Sequence, residues 1–179
     1  MIDDSWQKIK EDRLSGLKDI YDRNIKLLKS YGCRISVDNM LVEDCIQDLF
    51  LYIWQKRASI HCTQKEEAAY LCLSLRREIL RRLKRRNEEE LKFEYHLKDS
   101  HTEGIESQII HDENQKNINH QLRKAMDTLS SRQREALYLK FNLNLDYEKI
   151  SEILEINYQS CRNLVFRALS ELRNKLTEK

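Results

Sequence analysis

The sequence contains no proline and only three glycines among its 179 residues. Both residues interrupt helices and shape tight turns, so their scarcity favours long helices with short connections. The chain also lacks an alternating run rich in valine or isoleucine that would predict a sheet. These absences predict an all-α fold, and the length allows one or two compact domains.

The sequence lacks the signatures of several classes of protein. No apolar run reaches membrane-spanning length and no basic leader precedes an apolar core, so we expect a cytoplasmic protein without membrane insertion. The five cysteines include no Cys-x-x-Cys pair, which predicts free thiols and no metal site, because the adjacent His61 and Cys62 rarely reach one ion together. No Ser/His/Asp set, glycine-rich phosphate loop or ligand cluster appears, so the sequence predicts neither an enzyme nor a cofactor.

The chain does contain a concentrated basic segment. The net charge is only +2, but RREILRRLKRR at 76–86 holds seven basic residues and one acid. Apolar spacing predicts a helix over 67–86, preceded by a loop at 58–66. A basic helix beside a loop can hold a nucleic-acid backbone while an unstacked base is captured, although a charge run is more often a solvated face. The candidate DNA-binding residues are Tyr70, Arg76, Arg77, Arg81, Arg82, Lys84, Arg85 and Arg86.

A second helix is predicted over 42–57, VEDCIQDLFLYIWQKR. Its apolar stripe is broader than a small core requires, and its opposite face is acidic and polar. An ordinary core helix with a wet face is one interpretation, and the functional one is a helix that docks on a basic partner surface. The candidate docking residues are Glu43, Asp44, Gln47, Asp48 and Trp54.

The most informative segment is a pair of helices over 145–176 joined by a corner at 155–157. The stripes predicted to be buried are Ile150, Ile153 and Leu154 in the first helix and Cys161, Val165, Ala168, Leu169, Leu172 and Leu176 in the second. The opposite face of the second helix carries side chains that can reach base edges and phosphates in a major groove, although a structural hairpin shares this spacing. The candidates are Tyr158, Gln159, Ser160, Arg162, Asn163 and Arg167, with Arg132 and Arg134 on the preceding helix.

These patterns predict two small helical domains joined by a flexible linker. Mixed charge and scattered apolar residues place the linker at 87–114, between a domain at 1–86 and a helix-turn-helix domain at 115–179. Within the domains, Gly32 is predicted to end a helix, and Ser130 or Ser131 to cap another.

Over nearly the whole chain, these segments resemble the extracytoplasmic-function (ECF) group of bacterial RNA polymerase sigma factors, the minimal two-domain form of the sigma-70 family. VEDCIQDLFLYIW at 42–54 looks like the group's E-D-x-x-Q-x-x-F-x-x-x-W signature. A-Y-L at 69–71 with the basic run is similar to the segment that melts and reads the −10 promoter element. L-S-S-R-Q-R-E-A-L at 129–137, with the helix pair, looks like the domain that reads the −35 element.

The resemblance implies a sigma factor that directs transcription initiation at specific promoters. The helix at 42–57 would dock on the clamp helices of the largest polymerase subunit, and the flap of the second-largest subunit would be a further contact. It also implies an anti-sigma factor as a partner. Arg77 and Arg81 stand where many members have Asn and Asp, Leu164 stands where a basic residue is frequent, and SCRNLVFRAL resembles Bacteroidetes variants. Glu155 replaces the usual corner glycine, so we expect either a cost or a differently wound corner.

Two other interpretations remain open at the level of sequence. A stand-alone helix-turn-helix repressor or activator would account for the C-terminal third, but not for the signature at 42–54 or the basic helix. A helical adaptor without DNA binding would not account for the polar cluster at 158–167.

Overall fold

Every regular element in the part of the chain that the structure describes is a helix, which confirms the all-α fold. The computed structural model describes residues 5–94, 121–122 and 124–177. The chain divides into two compact units, Met1–Lys98 and Asp99–Lys179. The first unit contains α1 (Ser5–Lys10), α2 (Leu14–Ile35), α3 (Asn39–Gln55) and α4 (Glu67–Glu94). The second contains α5 (Ser131–Leu137), α6 (Tyr147–Leu154) and α7 (Tyr158–Thr177).

The core of the first unit lies between α2, α3 and α4, which all contact one another, while α1 packs on α2. Burying a large aliphatic or aromatic side chain contributes about 1.5–3 kcal/mol, so a handful of such residues stabilises this unit. The fully buried ones are Ile9, Ile20, Leu28, Tyr31, Ile46, Ile53, Leu71, Leu75 and Ile79.

The buried carboxylate of Glu67 joins three helices at the start of α4. It accepts hydrogen bonds from the Trp6 indole at 2.9 Å and from the Asn24 amide at 2.5 Å. The Arg23 guanidinium binds both carboxylate oxygens, at 3.0 and 2.9 Å. A buried charge is tolerated when it is paired and hydrogen-bonded, and this one fixes α4 against α1 and α2.

The sequence predicted that a helix ends at Gly32. This prediction was wrong, because α2 continues through Gly32 to Ile35. The glycine is buried, and a Cβ placed on it would lie 2.4 Å from the Cγ1 of Val42. Its missing side chain therefore allows α2 and α3 to approach closely. Glycine commonly ends helices, but Gly32 is a packing position inside one.

The basic helix is longer than the sequence predicted. It was expected to end at 86, but α4 runs to Glu94. The segment NEEELKFE at 87–94 is rich in Glu, Lys and Leu, which all have high helix propensity, so it extends the helix despite its mixed charge. The first eight residues assigned to the linker are therefore helical, and residues 95–114 lie outside the described part of the chain.

In the second unit, Ser130 caps α5 as predicted. Its hydroxyl accepts from the Gln133 amide N–H at 3.2 Å, and the Gln133 side chain accepts from the Ser130 N–H at 2.8 Å, which makes a capping box. A π-helical segment, Tyr138–Asn142, follows α5 directly. The side chain of Asp146 then caps α6 by accepting from the Lys149 N–H at 2.8 Å.

The two helices α6 and α7 bury most of the predicted stripes. Ile150, Ile153 and Leu154 are buried on α6, and Cys161, Val165, Ala168 and Leu172 are buried on α7. The prediction was wrong for Leu169 and Leu176, which are exposed. Leu169 directly follows Ala168, the residue of that turn that is fully buried, and Leu176 lies in the last turn of α7.

The corner between α6 and α7 is left-handed at Glu155, with φ 54° and ψ 48°. The Ile156 N–H donates to the Ser151 carbonyl at 3.0 Å and the Glu155 N–H to the Glu152 carbonyl at 3.3 Å. This is the bond pattern of a helix end closed by a left-handed residue, usually glycine. The backbone of the corner thus has the left-handed conformation that glycine usually supplies. Because Glu155 has a Cβ, this conformation costs roughly 1–2 kcal/mol.

Candidate functional site

The acidic residues of α3 face solvent. Glu43, Asp44, Gln47 and Asp48 are exposed, while the side chains between them, Cys45, Ile46 and Leu49, are buried. Trp54 is half-buried, and the Arg57 guanidinium lies 4.7 Å from the centre of its ring. Asp44, Gln47 and Trp54 follow the helical repeat, so the structure places these predicted docking residues along one side of α3.

Two exposed apolar side chains extend this side of α3, and the sequence reasoning missed both. Met40 is 78% exposed and Leu51 is 58% exposed, one turn before Asp44 and one turn after Gln47. Each lies four residues from a predicted docking residue, Asp44 or Gln47, and this spacing could have placed both on the same face of α3. We call Met40, Asp44, Gln47 and Leu51 the docking strip of α3.

The other two acids of α3 form ion pairs with neighbouring helices. Glu43 binds the Lys29 ammonium of α2 at 2.7 Å, and this hydrogen bond raises the pKa of Lys29. Asp48 binds the Arg82 guanidinium of α4. Two of the three carboxylates predicted to meet a partner therefore have partners within the unit itself.

The basic residues of α4 are partly neutralised by acids. Glu78 binds Arg81 at 2.7 Å and Arg82 at 2.8 Å, and the hydrogen bond from Arg81 is the main cause that lowers the pKa of Glu78. Arg86 binds Asp38, the residue that caps α3, at 2.9 Å. Arg77, Lys84 and Arg85 are exposed and Arg76 is half-buried. The helix thus presents cations to solvent, but three of its arginines are already paired with carboxylates.

Tyr70, one of the predicted DNA-binding residues, is half-buried. Its ring meets the ring of Trp6 edge to face, with centres 5.9 Å apart, and its hydroxyl is hydrogen-bonded with Ser74. Burial raises the pKa of Tyr70. The ring is thus engaged with the protein, and its contact with DNA stays a prediction.

The segment before α4 is irregular, as predicted. Within it Ile60 is buried, and the Thr63 hydroxyl donates to the Glu66 carboxylate at 2.8 Å. Burial raises the pKa of the Cys62 thiol to about 12 and that of the Cys45 thiol to about 11. Such thiols stay protonated at neutral pH and are poor nucleophiles and metal ligands.

The exposed face of α7 carries all six polar residues predicted for it: Tyr158, Gln159, Ser160, Arg162, Asn163 and Arg167. The Gln159 amide donates to the Asn163 side chain at 3.1 Å, and the Arg162 guanidinium lies 5.9 Å from the centre of the Tyr158 ring. Tyr158 in turn meets Tyr147 of α6 edge to face at 6.2 Å. These contacts arrange the side chains on the N-terminal half of a helix that projects from the corner, where a recognition helix presents its base contacts.

Arg132 and Arg134 of α5 bind backbone carbonyls within the unit. Arg132 donates to the carbonyl of Leu154, the last residue of α6, at 3.0 Å. Arg134 donates to the Leu129 carbonyl at 2.7 Å. The carbonyls in the last turn of a helix have no partner within that helix, so Arg132 caps the end of α6. The contact of both arginines with phosphates stays a prediction.

A short helix, a left-handed corner and a longer helix with an exposed polar face define the class of helix-turn-helix DNA-binding proteins. Within the described ranges, no group of three His, Cys, Asp or Glu side chains could hold a metal ion. No helix in the same ranges has the length and apolarity needed to cross a membrane.

Comparison with protein families identifies the chain further. The family model "Sigma-70 region 2" matches residues 20–89, and "Sigma-70, region 4" matches residues 119–172. The chain therefore belongs to the sigma-70 family of RNA polymerase sigma factors, with the two-domain organisation of the ECF group. Sigma factors are not enzymes, and these two regions bind RNA polymerase and promoter DNA. A stand-alone helix-turn-helix regulator would leave the region 2 match without explanation.

Two solved structures share this fold. One is the sigma factor RpoE from Bartonella quintana in complex with the anti-sigma factor NepR, at 22% identity and a TM-score of 0.64, covering 90% of this chain and 98% of that chain. The other is CnrH in complex with the cytosolic domain of CnrY, at 13% identity and a TM-score of 0.60, covering 96% of this chain and 94% of that one. Sequence comparison with curated proteins finds no match.

Proposed function

We propose that this sigma factor uses three separate surfaces: the docking strip of α3 for core polymerase, α4 with its preceding loop for the −10 element, and the exposed face of α7 for the −35 element. The observation that carries the proposal is the face of α7. Its buried side is apolar, while its exposed N-terminal half carries Tyr, Gln, Ser, Arg and Asn beside one apolar side chain, Phe166, which is 71% exposed. Asn, Gln and Arg are the side chains that bind base edges in a major groove, and each good bidentate contact discriminates by about 1–3 kcal/mol.

The docking strip supports the polymerase contact. Met40 and Leu51 expose apolar surface on the same side of α3, about three turns apart. Asp44 and Gln47 between them can set the orientation of a partner. Glu43, Asp48 and Trp54 flank this strip.

The −10 contact is the weaker of the two DNA contacts on this chain. Arg81, Arg82 and Arg86 are paired with carboxylates, so phosphates must compete with these acids. Two moderate contacts become selective when one polymerase carries both, because the second contact then forms at high effective concentration.

Partners and location follow from the same proposal. The complexes of RpoE with NepR and of CnrH with CnrY support an anti-sigma factor as a partner of this chain. Polymerase and promoter DNA place its activity in the cytoplasm, and its role needs no catalytic residue and no cofactor.

The experiment is a base-substitution scan of the −35 element with holoenzyme that carries Arg162→Ala. We expect a loss of about 1–3 kcal/mol in promoter binding and a relaxed preference at one −35 position. Arg173→Ala, which removes an exposed arginine farther along α7, is the matched control and should leave the preferences unchanged. A uniform loss across all −35 sequences would show that Arg162 contacts a phosphate instead of a base.

A further inference from the structure

A series of cationic and aromatic side chains connects the π-helical segment of the second unit to α7. The Lys140 ammonium lies 4.7 Å from the centre of the Tyr147 ring. Tyr147 meets Tyr158 edge to face, with ring centres 6.2 Å apart and the ring planes at 80°. The Arg162 guanidinium lies 5.9 Å from the centre of the Tyr158 ring. We call these four residues the tyrosine chain.

Helix geometry brings the tyrosine chain together. Tyr147 is the first residue of α6 and Tyr158 the first of α7, and Arg162 follows Tyr158 by four residues on the same face of α7. The Lys140 ammonium also donates to the Leu145 carbonyl at 3.2 Å, just before α6 begins. Tyr147 is half-buried, whereas Tyr158 is 42% exposed. The chain therefore runs from a supported ring to an exposed guanidinium.

A ring orients an arginine differently from a carboxylate. The face of an aromatic ring carries negative charge and attracts a cation, while its edge is positive and packs on the face of another ring. Within the residues that the structure describes, Arg162 forms no ion pair with a carboxylate, whereas arginines of α4 do. Contact with the Tyr158 ring restricts the guanidinium but does not use up the N–H donors that a base edge needs.

Restricting the guanidinium matters for reading a base. A bidentate contact with the O6 and N7 atoms of guanine needs the planar fork of an arginine in one orientation. An exposed arginine that is free to rotate loses conformational entropy when it takes up that orientation, and one that is already held loses less. Tyr158 alone could rotate with Arg162, but Tyr147 supports its ring from a different helix.

We propose that Lys140, Tyr147 and Tyr158 are positioning residues that hold Arg162 in the orientation in which it reads one guanine of the −35 element. The inference rests on the proposed use of α7 for the −35 element and deepens it. Lys140 and Tyr147 lie outside α7, and the sequence pattern suggested no role for either. Tyr158, which the sequence suggested as a DNA contact, acts here through Arg162.

The test measures base preference at every −35 position. Holoenzyme assembled from core polymerase and the full chain binds promoter duplexes that carry each of the four bases at each −35 position in turn. We expect one position at which guanine is preferred and at which Arg162→Ala lowers this preference by about 5- to 150-fold. Tyr158→Leu should lower the preference at the same position by about two- to fivefold, the factor that corresponds to an exposed cation–π contact. In a chain that already carries Arg162→Ala, Tyr158→Leu should cause no further loss.

Further variants test the part of the chain that lies outside α7. Tyr147→Leu should lower the guanine preference at the same position by a smaller factor, because it acts on Arg162 through Tyr158. Tyr147→Phe and Tyr158→Phe keep the rings and should behave like wild type. Phe141→Leu removes a ring of the π-helical segment that is 62% exposed and takes no part in the tyrosine chain, so it should leave all preferences unchanged.

Three outcomes separate the possible failures. If Tyr158→Leu and Tyr147→Leu weaken binding equally for every −35 sequence, the rings have only a structural role and the inference is overturned. It is also overturned if the losses from Tyr158→Leu and Arg162→Ala multiply, since Tyr158 would then contact DNA itself. If Arg162→Ala leaves the preference at every −35 position unchanged, the proposed base contact of α7 fails.

Discussion

Arg82 of α4 and Asp48 of α3 form an ion pair across the helix interface, and the Nε of Arg82 also donates to Glu78 at 2.8 Å. The arginine is a candidate DNA contact and the aspartate a candidate polymerase contact. This ion pair therefore links the candidate DNA-binding surface of α4 to the candidate polymerase-binding surface of α3. A polymerase group that binds Asp48 would compete with Arg82 for it, and so would favour the contact of Arg82 with DNA.

We expect Asp48→Asn to increase the affinity of the free chain for duplex DNA by up to about fivefold, because an exposed ion pair contributes roughly 0–1 kcal/mol. Fluorescence anisotropy with a labelled non-specific duplex at two salt concentrations measures this affinity. Asp44→Asn, which changes the net charge equally on the same helix, is the control and should have a smaller effect. Equal increases for both variants would mean that only net charge matters.

The acid stability of the first unit should depend on Glu78. Its pKa lies below the ordinary value of 4.5, chiefly because Arg81 donates a hydrogen bond to the carboxylate. The ionised form therefore stabilises the fold: the contribution is complete above about pH 4.5 and is lost as the pH falls through the lowered pKa. Urea unfolding between pH 3 and pH 7 should show a smaller loss of stability on acidification for Glu78→Gln than for wild type. Parallel curves for the two proteins would contradict this assignment.

The left-handed corner at Glu155 should be improved by glycine. We expect Glu155→Gly to raise the free energy of unfolding of the second unit by about 0.5–1 kcal/mol, since relief of the Cβ contact exceeds the entropy that glycine adds to the unfolded chain. Thermal unfolding measures the change. Asn144→Gly is the control at another left-handed position, φ 51°, where asparagine is already tolerated and a smaller gain is expected. Destabilisation by Glu155→Gly would show that the glutamate makes compensating contacts.

Local periodicity was enough to predict most of the fold. The stripes of α6 and α7 and the cap at Ser130 depend on spacings of three and four residues, which the sequence displays directly. The end of α4 was placed too early because mixed charge masked the helix propensity of 87–94, and the error at Gly32 arose where distant segments meet. The local pattern at Gly32 predicts a helix end, because it does not show the contact of this residue with Val42 on the next helix.

For the candidate surfaces too, local spacing predicts which residues share a helix face but not which residues of different helices meet. The helical spacing of the polar residues of α7 predicted that they share one exposed face. The sequence could not show that Arg82 would pair with Asp48, 34 residues earlier, or that Arg132 would bind the carbonyl at the end of α6.

Run-off transcription with purified core polymerase on genomic fragments tests the central claim most directly. When the chain is added, we expect new transcription start sites that share two sequence elements at a fixed spacing upstream. The absence of new start sites, together with binding of the chain alone as a dimer to palindromic DNA, would contradict a role as a sigma factor.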